Sequence, residues 1–91
     1  MSYTIKPSSR FKKDMKTAVK RGYNKSLILQ IIDRLAVGEV LEEKYQDHAL
    51  TGDYIGHREC HIQPDWLLIY RYEEDVLVLS LTRTGSHSDL Y

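Results

Sequence analysis

Two periodicities divide the chain. Phe11, Met15, Ala18 and Val19 recur at i, i+4, i+7 and i+8, the spacing of one helix face. Ser8 and Ser9 precede that run and can cap it by accepting the orphan amide hydrogens of the first turn, and Gly22 ends it. Leu27, Ile28, Ile31, Ile32 and Leu35 repeat the helical spacing between Asn24, a second capping residue, and Gly38. So short a connection predicts antiparallel neighbours, a helical hairpin. Upstream, Tyr3-Thr4-Ile5-Lys6 is a short strand candidate stopped by Pro7. Beyond residue 56 the period falls to two. Arg58, Cys60 and Ile62 alternate with His57, Glu59 and His61, and Pro64-Asp65 makes a turn. Residues 66–72 are strongly β-prone, Glu73-Glu74-Asp75 is a charged turn, and residues 76–82 form a third strand. Turns this short force an antiparallel meander. The predicted order is β-α-α-β-β-β, an α+β fold with an N-terminal helical hairpin packed on an antiparallel sheet. Residues 83–91 have turn chemistry and room for a final helical turn. Residues 39–53 read as a polar loop, and a loop this long in so small a domain is more often functional than idle.

Composition narrows the class. The chain has 91 residues, 42% hydrophobic and 29% charged, which fits one globular domain over residues 1–91 and excludes a disordered chain. Its single cysteine, Cys60, has no intrachain partner, so a disulfide-stapled scaffold is excluded. No stretch approaches the ~20 apolar residues of a membrane span, and the first residues contain no signal-peptide core. A cytoplasmic protein with no membrane association is expected.

The formal charge sums to zero, yet it is unevenly placed. Residues 1–40 hold nine Lys/Arg against three Asp/Glu, and residues 41–91 hold four against ten. Such asymmetry suggests a polyanionic partner. On a helical wheel counted from Arg10, the apolar residues of the first helix fall between about 80° and 180°. Lys12, Lys13, Lys16 and Lys20 fall between about 200° and 300°, with only Asp14 to neutralise them locally. Such a stripe is either a solvated face or a surface that binds RNA phosphates without reading sequence.

All four histidines lie in the second half. His57 and His61 are four apart, but on a strand that spacing separates them by about 13 Å. No Cys pair or His-Glu-x-x-His accompanies them, so no metal or other cofactor is expected. Cys60 falls on the apolar face of its strand, where an inert buried thiol is the default. That leaves His48, His61, Asp65, Arg83 and His87. Singly, each has a structural explanation: Asp65 suits a turn after Pro64, and Arg83 suits a sheet edge. Together they match one reaction. Cleaving RNA through its own 2′-hydroxyl needs a base, an acid for the leaving 5′-oxygen, and a cation beside the phosphorane. Histidine suits the first two roles, and arginine the third.

Three runs resemble one known family. They are Asp47-His48-Ala49-Leu50-Thr51-Gly52, the stretch from Gly56-His57-Arg58-Glu59-Cys60-His61 through Pro64-Asp65-Trp66 to Tyr70, and Arg83-Thr84-Gly85-Ser86-His87-Ser88-Asp89-Leu90. In this order they resemble the YafQ branch of the RelE/ParE superfamily of type II toxins, whose hairpin and meander the element order also matches. The resemblance implies a ribosome-dependent endoribonuclease that cuts mRNA and halts translation. It implies a neutralising antitoxin of the DinJ/RelB-like, ribbon-helix-helix kind, and operator DNA bound only through the complex. It places the functional positions on His48, His61, Asp65, Arg83 and His87, with His87 as acid, His61 or His48 as base or charge stabiliser, and Arg83 on the scissile phosphate. Asp65 would orient a histidine or share in proton transfer. Tyr91 stands where the family has phenylalanine, and stacking on a base is the implied role. The alternatives of the same fold are a ParE-like gyrase inhibitor, which needs no acid–base set, and a non-catalytic antitoxin-binding module.

Overall fold

The computed structural model describes residues 2–91. Strand β1 (Thr4–Pro7) leads into α1 (Ser9–Lys20) and α2 (Lys25–Ala36). A 3-10 turn at Glu43–Tyr45, the two-residue strand β2 (His48–Ala49) and a 3-10 turn at Gly52–Tyr54 follow. The meander is β3 (Arg58–Gln63), β4 (Trp66–Glu73) and β5 (Val78–Gly85), closed by α3 (His87–Leu90).

Ser8 caps α1 by accepting the Phe11 N–H at 2.9 Å, and Asn24 caps α2 through the Ser26 N–H. Gly22 and Gly38 take left-handed φ values of 84° and 81° just past the two helices, as the sequence predicts.

The sheet departs from the expected antiparallel form. Its order is β1-β5-β4-β3-β2, and β1 runs parallel to β5, which makes it mixed. Short turns fix the direction only of β3, β4 and β5. The chain between β1 and β5 carries the whole hairpin and meander, long enough for either orientation. β5 also starts at Val78 rather than Val76, because Leu77 adopts a left-handed φ of 51° and extends the turn.

Both faces of the sheet are covered. On the hairpin side, Trp66, Leu68 and Tyr70 pack with Phe11, Ile28, Ile31, Leu35, Cys60, Leu79 and Leu81. On the other side Leu67, Ile69 and Leu90 meet Leu50 and Tyr54. β4 is therefore buried on both faces, which explains its continuous apolar run in place of alternation. Each such side chain contributes roughly 1.5–3 kcal/mol of burial. The one buried indole nitrogen is satisfied: Trp66 Nε1–H donates to Thr84 Oγ1 at 2.9 Å, and that hydroxyl donates to the Leu67 carbonyl at 2.6 Å. Among the described residues no helix is long and apolar enough to cross a membrane.

Candidate active site

The face of the sheet away from the hairpin gathers the polar residues. Period-two alternation sends Cys60 and Ile62 toward the hairpin core, and Glu59 and His61 to the opposite face. The segment read as a loop contributes a strand there. β2 pairs antiparallel with β3 and sets His48 directly across from Glu59. Asp47 fastens this short strand by accepting from Arg58 Nε at 2.7 Å and from the Tyr70 hydroxyl.

Glu59 is the centre of the arrangement, and no sequence pattern identified it. Its carboxylate is only 5% exposed. Oε2 lies 3.3 Å from His48 Nε2 and 3.9 Å from His61 Nε2, and Oε1 accepts from the Tyr91 hydroxyl at 2.8 Å. A buried carboxylate is costly unless it is paired and hydrogen-bonded, and these three neighbours supply that. The signal available in sequence was an acidic residue at strand spacing from a histidine, which is too common to single out.

His87 opens α3. Ser86 accepts the Asp89 N–H while Asp89 accepts the Ser86 N–H, a capping box that sets this four-residue helix. Arg21 holds Asp89 through a bond of 2.5 Å and, with the Ser86 N–H, keeps its carboxyl far below the ordinary range. Gly85 is required by proximity: a Cβ there would meet the Asp89 Cβ at 2.9 Å. Asp65, in the β3–β4 turn, accepts both the His87 backbone N–H at 2.9 Å and His87 Nδ1 at 2.6 Å. These two bonds, the backbone one first, hold Asp65 below the usual carboxylate range.

The three imidazoles form a row. The His48 and His61 ring centroids are 6.4 Å apart, and those of His61 and His87 are 5.7 Å apart. His48 is engaged at both nitrogens, with Nδ1 2.6 Å from the Gln46 carbonyl. His57, set aside on sequence grounds, lies just before β3 against Tyr54.

Arg83 is placed by a register shift. A bulge in the β4–β5 pairing sets Leu81 opposite Tyr70 but Arg83 opposite Ile69, so two residues at even spacing serve opposite faces. Its guanidinium is gripped along one edge: Asp14 of α1 holds Nε at 2.7 Å and Nη2 at 3.2 Å. This also corrects the local reading of α1, because Asp14 serves Arg83 and not the lysines. Lys12, Lys13, Lys16 and Lys20 are all exposed. Tyr91 is engaged as well. Its hydroxyl is tied to Glu59, and its ring meets Tyr54 edge-on at 6.1 Å. Cys60 is fully buried, and burial pushes its thiol well up.

Among the described residues no group of three or more His, Cys, Asp or Glu side chains is arranged to hold a metal ion.

Comparison with known proteins identifies the family and the fold. The sequence profile described as "Bacterial toxin of type II toxin-antitoxin system, YafQ" matches residues 3–91. The mRNA interferase toxin YafQ of Escherichia coli strain K12 is 34% identical over 88 residues, covering 96% of this chain and 94% of that protein. A chain of the solved E. coli DinJ–YafQ toxin–antitoxin complex superposes with a TM-score of 0.90 at 33% identity, covering 100% of this chain and 99% of that one. A metal-bound toxin from Helicobacter pylori superposes with a TM-score of 0.92 at 42% identity over the whole of both chains.

Proposed function

The chain belongs to the YafQ family of bacterial type II toxins, and from that membership we propose a ribosome-dependent mRNA interferase neutralised by a cognate antitoxin. A protein acting on translating ribosomes works in the cytoplasm. The antitoxin expected is of the ribbon-helix-helix kind, with operator DNA reached only through the complex.

The observation that carries the chemistry is the row of three imidazoles flanked by Asp65 and Glu59. His61 takes the proton of the 2′-hydroxyl as its oxygen bonds to phosphorus. The bond from phosphorus to the 5′-oxygen breaks, and His87 gives that oxygen a proton. The products are a 2′,3′-cyclic phosphate and a free 5′-hydroxyl. Asp65 on Nδ1 of His87 fixes the ring and selects the tautomer in which Nε2 is the exchangeable site. Two features favour His61 over His48 as the base. It neighbours His87, and His48 is already held at both nitrogens. His48 and Arg83 then face the charge that builds on the phosphorane. The lysines of α1 hold ribosomal RNA through its phosphates.

The gyrase-inhibitor and non-catalytic alternatives have no observation in their favour, since the matched curated relative is named an mRNA interferase. The test is purified protein added to translating ribosomes and, separately, to free RNA. Message is expected to be cut on ribosomes only, and His87→Ala should lower the rate by about 10²–10⁴-fold. Intact message with gyrase inhibited would overturn the proposal.

A further inference from the structure

We propose that Asp14 is the positioning residue of Arg83, holding the guanidinium by one edge so that the other is presented to the scissile phosphate. The inference rests on the assignment of Arg83 to that phosphate. Asp14 is the only acidic residue of α1, and it sits 69 residues from Arg83 in sequence. Both side chains are mostly buried, with 12% and 16% of their surface exposed. The carboxylate is itself fixed, because Oδ2 also accepts the Thr84 N–H at 3.1 Å. Arg10 approaches only to 3.8 Å and is 66% exposed, so it is peripheral.

A guanidinium carries five N–H donors in a rigid plane. Asp14 engages Nε–H and one hydrogen of Nη2, which leaves Nη1 and the second Nη2 hydrogen. That remaining edge is the bidentate fork that matches two phosphate oxygens. An arginine gripped along one edge cannot rotate, so the free edge is oriented before substrate arrives, and reorganisation is avoided during the reaction. The grip comes from the same helix that carries Lys12, Lys13, Lys16 and Lys20. The helix proposed to dock on ribosomal RNA is therefore bonded directly to the residue proposed to meet the scissile phosphate.

A double-mutant cycle on ribosome-bound message tests this, reading kcat and KM separately, with melting curves for each variant. Arg83→Ala is expected to lower kcat by about 10²–10³-fold. Asp14→Asn keeps the size of the side chain and an acceptor for Thr84, and should lower kcat by at least about tenfold with KM for ribosomes unchanged. In the Arg83→Ala background Asp14→Asn should change kcat no further, whatever it does to melting. Arg83→Lys retains the ion pair and with it the fold, but has no second edge, and should cleave as poorly as Arg83→Ala. Three results would overturn the role of Asp14: an equal loss of kcat in both backgrounds, wild-type kcat in Asp14→Asn, or wild-type kcat in Arg83→Lys. Wild-type cleavage by Arg83→Ala would instead remove the phosphate assignment of Arg83 itself.

Discussion

Replacing Tyr91 with phenylalanine separates two roles that the aromatic ring and its hydroxyl could have. The ring stays available to stack on a base, and only the O–H bond to Glu59 is lost. That bond is 2.8 Å long and ends on a carboxylate that is 5% exposed. Hydrogen bonds to charged groups contribute about 1.5–3 kcal/mol. Tyr91 is 63% exposed, so solvent can replace part of the lost bond, and about 1–2 kcal/mol is the expected cost. In a domain of 60–100 residues each kcal/mol moves the melting midpoint by about 4–8 °C, which gives a drop of about 4–16 °C. The phenol's own titration does not interfere, since desolvation and the Glu59 carboxylate push it well above its ordinary value. It remains a donor throughout the physiological range. Because α3 carries His87 and ends against Tyr91, cleavage by Tyr91→Phe should also fall, by several-fold. Tyr91→Leu removes the ring as well, and should cost a further ~1–3 kcal/mol in substrate binding if the ring stacks on a base. Thermal melting followed by circular dichroism, paired with ribosome-dependent cleavage, reads both roles. A Tyr91→Phe midpoint within about 1 °C of wild type would refute the stabilisation assigned to the Tyr91–Glu59 hydrogen bond.

Two further predictions follow from the charges. Asp65 is held below the ordinary carboxylate range by the His87 N–H and ring, so its contribution to stability is present above about pH 4. That contribution is lost as pH falls through the lowered value in the folded state. The melting difference between wild type and Asp65→Asn should thus be constant near neutrality and shrink in acid; an equal difference at both ends would show that the charge is not involved. Replacing Lys12, Lys13 and Lys16 together with Glu should weaken sedimentation with ribosomes, most strongly at low salt. Unchanged binding at every salt concentration would make the stripe a solvated face only.

Much of the frame was legible because local rules act alone there. Ser8, Asn24, Gly22 and Gly38 bound their helices through hydrogen bonds and backbone freedom that a few neighbouring residues decide. The antiparallel β3–β4–β5 meander followed from turns too short for any other path. Cys60 was readable as a core residue from strand alternation and its place on the apolar face. The direction of β1 was not readable, because nothing local constrains a strand whose partner lies more than seventy residues away.

The candidate site divides along the same line. By itself the sequence determined which residue types were available, and the three motifs placed them in a family whose chemistry needs them. What only the tertiary structure decided was which atoms meet. Glu59 became central because β2 pairs across β3 and Tyr91 folds back from the C-terminus. Arg83 turned toward Ile69 because a bulge broke the alternation, and Asp14 reached it because α1 packs on β5. Each is a contact between distant parts of the chain. A side chain's charge and shape are local properties, whereas the partner that neutralises it is set by the packing of the whole sheet and its helices.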